Sequence, residues 1–112
     1  MFSKALAAAA VKPLILSVLS RRDSYGYEII QAAARFSGGV LDWQEGMLYP
    51  LLRKMEREGL IMSYWGVSQV GRKRRYYTLL PEGKEALETE KKEWMELNAA
   101  FIRLWGGELE YV

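Results

Sequence analysis

The 112-residue chain is half apolar by composition, enough for one modest core and too short for a second independent domain. It has no cysteine and no histidine, which excludes disulfides and thiolate metal sites and removes the commonest general base, so neither a metal, a cofactor nor an enzymatic role is expected. The net charge of +2 is unevenly spread: residues 53–80 carry seven basic and two acidic side chains and residues 81–112 four and eight, as a localised phosphate-facing surface with an acidic tail would.

In chain order, the alanine- and leucine-rich segment Phe2 to Leu19 predicts a helix that Pro13 kinks or restarts, with Leu14, Ile15, Val18 and Leu19 on one stripe. It is too short and too interrupted to span a membrane, and Arg21, Arg22 and Asp23 follow where a signal peptide would have a cleavage site, so a cytosolic location is expected. Ser24 reads as the N-cap of a second helix through Ile29, Ile30, Ala33 and Ala34, stopped by Gly38-Gly39. Asp42, with Glu45 three residues on, reads as the acidic capping box of a third. Its buried stripe is Leu48, Leu51, Leu52 and Met55, Gly59 is its left-handed stop, and Gly46, Tyr49, Pro50, Arg53, Lys54 and Arg57 point outward.

After Gly59 the composition becomes strand-like, in Leu60 to Trp65 and again in Arg74 to Leu79, with a glycine-bearing basic tip over Gly66 to Lys73. Pro81 at a first helical position then opens a last helix that runs to about Trp105 and ends at Gly106-Gly107. The expected fold class is mainly α with a β-hairpin (α+β). Residues 1–80 form a winged helix-turn-helix, 81–106 a C-terminal dimerisation helix and 107–112 a tail.

Three helices followed by a wing place the third helix in a DNA major groove and the wing on the flanking backbone. Gln44, Glu45 and Met47 are then candidates for base readout, Tyr49, Arg53 and Lys54 for bases or phosphates, and Arg72, Lys73, Arg74 and Arg75 for phosphates. A solvated hairpin tip would explain the basic run by itself; its coincidence with the helix order favours duplex DNA. On the last helix Leu87, Trp94, Leu97, Phe101, Ile102 and Trp105 share a stripe, more apolar surface than so small a domain covers, which points to a two-fold homodimer. Trp94, Asn98 and Phe101, facing Leu6, Ala9 and Ala10 of the first helix, could line a pocket for a planar aromatic small molecule. Trp43 and Trp65 read as packing. Paired acids such as Glu90 and Glu93 lie on a charged helix face, where solvation is the ordinary explanation.

The segments Tyr25-Gly26-Tyr27-Glu28-Ile29, Gly46-Met47-Leu48-Tyr49-Pro50-Leu51-Leu52 and Met55 to Ile61 resemble the PadR family of bacterial transcriptional regulators. The likeness continues through Tyr64-Trp65-Gly66, Gly71 to Tyr77 and Gly83. It implies a dimeric winged-helix repressor, and the single C-terminal helix resembles the small subfamily with multidrug-responsive members. There, a tryptophan of the final helix flanks a flat aromatic drug at the dimer centre; Trp94 stands at the matching place. Where the family often has a capping threonine before the last helix this chain has Leu80, which leaves Pro81 and Glu82 to set the start. Two other readings remain, a dimer that binds or sequesters small molecules without a DNA function, and a protein-interaction module built on the last helix.

Overall fold

A computed structural model describes residues 3–106. Its elements are α1 (Lys4–Arg21), β1 (Ser24–Tyr25), α2 (Gly26–Phe36), α3 (Glu45–Arg57), β2 (Ile61–Val67), β3 (Lys73–Leu79) and α4 (Pro81–Trp105). Phe2 and the expected tail, 107–112, lie outside the described residues. Ser3 caps α1, its Oγ accepting from the Leu6 amide at 3.2 Å. The helix continues through Pro13, burying Val11, Ile15, Leu16, Val18 and Leu19.

Ser24 does not cap α2. Its hydroxyl donates to the Arg22 carbonyl at 3.2 Å, and its backbone, buried opposite Tyr77, begins the short strand β1. The β-hairpin expected from sequence is therefore a three-stranded antiparallel sheet in the order β1-β3-β2. Tyr25 precedes α2 instead, and Glu28 Oε1 accepts from its amide at 3.2 Å, satisfying one donor at the helix start.

The third helix also starts later than Asp42. Leu41 and Trp43 are both buried while Asp42 is exposed, an alternation that needs extended chain, since a helical turn would separate the two apolar side chains by about 200°. Gln44 then becomes the cap of α3. Leu48, Leu52 and Met55 face the core, and Gly59 at φ +78° ends the helix in the left-handed conformation that favours glycine. Pro50 lies on the exposed side, where water can satisfy the carbonyl it leaves free.

One core holds α1, α2, α3 and the inner sheet face together, with Ile15, Leu16, Ile29, Leu48, Leu52 and Ile61 fully buried. The start of α4 is clamped to it. The Leu80 amide donates to the Leu60 carbonyl at 3.0 Å, and Gly83 lies so close over that carbonyl that a Cβ would overlap it and approach Leu79 Cδ1 to 2.6 Å. From there α4, about 37 Å long, packs its first half on α1 and runs on, stretching the molecule to 61 × 29 × 22 Å.

Candidate nucleic-acid interface

On α3 the buried stripe of Leu48, Leu52 and Met55 fixes what the rest of the helix presents. Gln44, Glu45, Met47, Arg53 and Lys54 are all exposed, as the major-groove reading expects. Tyr49 is different. It is half-buried, with its ring against the backbone of Gly26, where a Cβ would stand 2.9 Å from the hydroxyl oxygen. Its first role is therefore to seat α3 on α2.

Strand pairing sorts the wing into two faces, because cross-strand partners share a side and successive residues alternate. Ser63 pairs with Tyr77 and Trp65 with Arg75, and both pairs look toward α3: Ser63 Oγ donates to Glu56 Oε2 at 2.8 Å, and Arg75 meets Glu56 Oε1 at 3.6 Å. The Tyr77 hydroxyl sits in the same neighbourhood. Burial pushes its pKa up; Arg75 opposes that shift, Glu56 and Tyr49 add to it, and Arg53 opposes it. Arg53 stands one turn before Glu56 on α3 and is exposed, so the Glu56–Arg75 contact brings the helix and hairpin charges to one side of the molecule.

The four basic wing residues do not act as one block. Lys73 and Arg75 belong to the α3-facing side, and Arg72 sits exposed in the tip. Arg74 points the other way, into a tyrosine cluster: its guanidinium lies over the Tyr25 ring at 5.2 Å and its Nε is buried. Tyr76 meets Tyr25 edge-on at 5.4 Å and stacks with Tyr64 at 5.7 Å, and Tyr64 Oη donates to Asp23 at 2.6 Å. This outer face is committed to holding the wing against β1. Trp65 is expected to pack; instead it is 63% exposed on the α3-facing side of the wing, with Lys73 Nζ 5.2 Å from its ring centroid.

The apolar stripe of α4 divides at mid-length. Leu87, expected between protomers, is only 3% exposed and belongs to the chain's own core through its contact with α1. Leu97, Phe101, Ile102 and Trp105 remain exposed, with Phe101 and Trp105 stacked at 4.8 Å. Trp94 lies half-buried between the two zones, its indole donating to Glu90 at 3.3 Å. It lines an open apolar cleft of about 270 Å³ with Ala10, Pro13, Leu14, Leu87 and Met95. Of the six residues expected around a planar ligand, only Ala10 and Trp94 line this cleft; Leu6, Ala9, Asn98 and Phe101 lie outside it.

A sequence model of the PadR-like family of transcriptional regulators matches residues 15–89, which span α2, α3, the sheet and the clamped start of α4. The chain belongs to that family. A PadR-like transcriptional regulator of Bacillus cereus, 30% identical, superposes with a TM-score of 0.83 over 93% of this chain and 99% of that one. A transcriptional regulator from Clostridium thermocellum, 32% identical, does so at 0.79 over 92% and 96%. A Mycobacterium tuberculosis transcriptional regulator is 34% identical over 89 residues, 80% of this chain and 79% of its own length. PadR-like proteins are transcriptional regulators and not enzymes, and this chain shares their fold, four helices with a three-stranded antiparallel sheet. Among the described residues no helix is long and apolar enough to cross a membrane, and no group of three acidic side chains could hold a metal ion.

Proposed function

We propose that this PadR-like regulator binds duplex DNA sequence-specifically as a homodimer, inserting α3 into the major groove and laying the α3-facing side of the wing on the flanking backbone. The observation that carries the reading is the contact of Arg75 with Glu56 at 3.6 Å, which ties the wing to α3 one turn from the exposed Arg53. The symmetric pair joins through the distal, exposed half of α4 and sets its two recognition helices about one DNA turn, roughly 34 Å, apart on a palindromic operator. The cytoplasm, where such DNA lies, is its place of action.

Duplexes covering the region upstream of its own coding sequence test this by gel shift at several salt concentrations. Wild-type protein shifts at least one of them. The double variant Arg72→Ala, Arg75→Ala binds more weakly, and its log–log salt slope flattens by about 3.6 units, since the dimer loses four phosphate contacts of about 0.9 each. An unchanged slope removes the wing from the interface.

The protein also responds to a planar aromatic effector in the cleft beside Trp94, acting as a ligand-dependent repressor. Small side chains of α1 opposite one indole favour this reading, because they leave room for a flat ring. A ligand that alters the spacing of the two α3 helices lowers DNA affinity by the free energy with which it prefers the altered dimer. Titration with planar aromatic compounds quenches the wild-type fluorescence and leaves Trp94→Phe silent; equal quenching of both excludes the cleft.

A further inference from the structure

The DNA reading leaves Trp65 unused, although it is the largest side chain of the wing and stands 63% exposed. It does not hold the hairpin together, for the tyrosine cluster and the Asp23 contact do that from the opposite face. Val67, two residues on and on the same side, is 71% exposed, so the wing presents an apolar edge. Cations frame that edge. Lys73 Nζ covers the indole at 5.2 Å, and Arg75, its cross-strand partner, is tied to α3 through Glu56. The edge is therefore continuous with the exposed face of α3.

We infer that Trp65 is a duplex-contact residue, whose indole packs on the deoxyribose wall beside the segment read by α3 while Lys73 and Arg75 take the adjoining phosphates. The inference rests on the DNA reading and names a contact within it. A nucleic-acid strand alternates apolar sugar faces with anionic phosphates, the complement of an indole edged by cations. Lys73 restrains the ring before binding, which lowers the entropy lost on contact. Sugar packing releases no counterions, and this separates it from every basic contact around it.

The test uses the upstream duplex bound by wild-type protein, with Trp65→Ala, Trp65→Phe and Lys73→Ala compared in full salt titrations. Trp65→Ala weakens binding on the order of tenfold at every salt concentration with an unchanged slope, and Trp65→Phe recovers most of the loss. Lys73→Ala flattens the slope by about two units, one lysine being lost from each protomer. Far-UV circular dichroism is the same for all four proteins, as an exposed position predicts. If Trp65→Ala binds like wild type while Arg72→Ala, Arg75→Ala remains weakened, the Trp65 contact is overturned and the DNA reading stands. If Trp65→Ala flattens the slope as Lys73→Ala does, Trp65 merely seats the lysine and the inference fails. If wild-type protein binds no duplex even at low salt, both fall.

Discussion

The two halves of α4 carry similar apolar stripes and meet opposite fates. Around Gly83 and Leu87 the helix is closed against its own chain, with Leu60 and Leu79 beneath Gly83 and α1 beside Leu87. From Leu97 onward Ile102 is 59% and Trp105 76% exposed, while the stacked rings of Phe101 and Trp105 cover only one another. The boundary falls near the half-buried Trp94, which lines the cleft with Ala10 of α1. Winged-unit stability is thus internal to the chain, whereas among the described residues the distal stripe stays uncovered, and the proposed dimer would bury it at about 25 cal/mol per Å² of apolar surface. Stability and assembly are separable by mutation.

The largest expected effect breaks the open half. Ile102→Asp with Trp105→Asp puts charge where the proposed partner buries apolar surface, and it raises the dimer dissociation constant at least about a hundredfold, from a loss of about 3 kcal/mol or more. Light scattering at micromolar concentration then reports half the wild-type mass, while urea unfolding of the winged unit keeps its slope. A wild-type protein that scatters as a monomer abolishes the comparison.

Gly83→Ala attacks the closed half and has a smaller effect. The new methyl would collide with a backbone carbonyl that is itself held by the Leu80 amide, so it cannot rotate aside as a flexible side chain would. The start of α4 must shift, at a cost of about 2 kcal/mol. A lowered urea midpoint with the slope retained is the expected result. A midpoint equal to wild type shows that the clamp yields freely, and the contrast between the two halves then loses its physical basis.

Much of this was legible in the chain because long helices write a 3.6-residue period into their side chains, as α2, α3 and α4 do, while α1, apolar almost all round, showed through its alanine- and leucine-rich composition. Two residues write no period, and so β1 was hidden behind the ordinary capping signature of Ser24. At α3 a sound local signal, Asp42 with Glu45, lost to a nonlocal one, the burial of both Leu41 and Trp43. In the wing the run Arg72 to Arg75 shows as charge, but only the strand register reveals that Arg74 turns away from its neighbours onto Tyr25. Leu87 and Trp105 sit on one stripe, and nothing local says that the first is buried and the second exposed. Trp65 reads as packing because a tryptophan in a strand usually packs; strand register puts it on the α3-facing side with Arg75, and its exposure there comes only from the tertiary arrangement.

The smallest effect sharpens how the closed half keeps its wing in place. Tyr64 donates to Asp23 across 41 positions of sequence, and the proton it donates is held tightly: chiefly through that hydrogen bond, the hydroxyl is pushed up from 10 to about 12. An unfolded chain releases this proton near pH 10, whereas the folded protein keeps it until about pH 12. The contribution to stability is therefore whole below pH 10 and is lost as the pH climbs from there to about 12. Urea midpoints of wild type and Tyr64→Phe, compared at pH 9 and again near pH 11.5, converge as the wild type loses its advantage. Ile102→Asp, Trp105→Asp retains the same alkaline sensitivity, because the pin between Asp23 and the wing lies in the part of the molecule that closes without a partner. A gap that stays constant across this range separates the Tyr64 bond from the folding equilibrium.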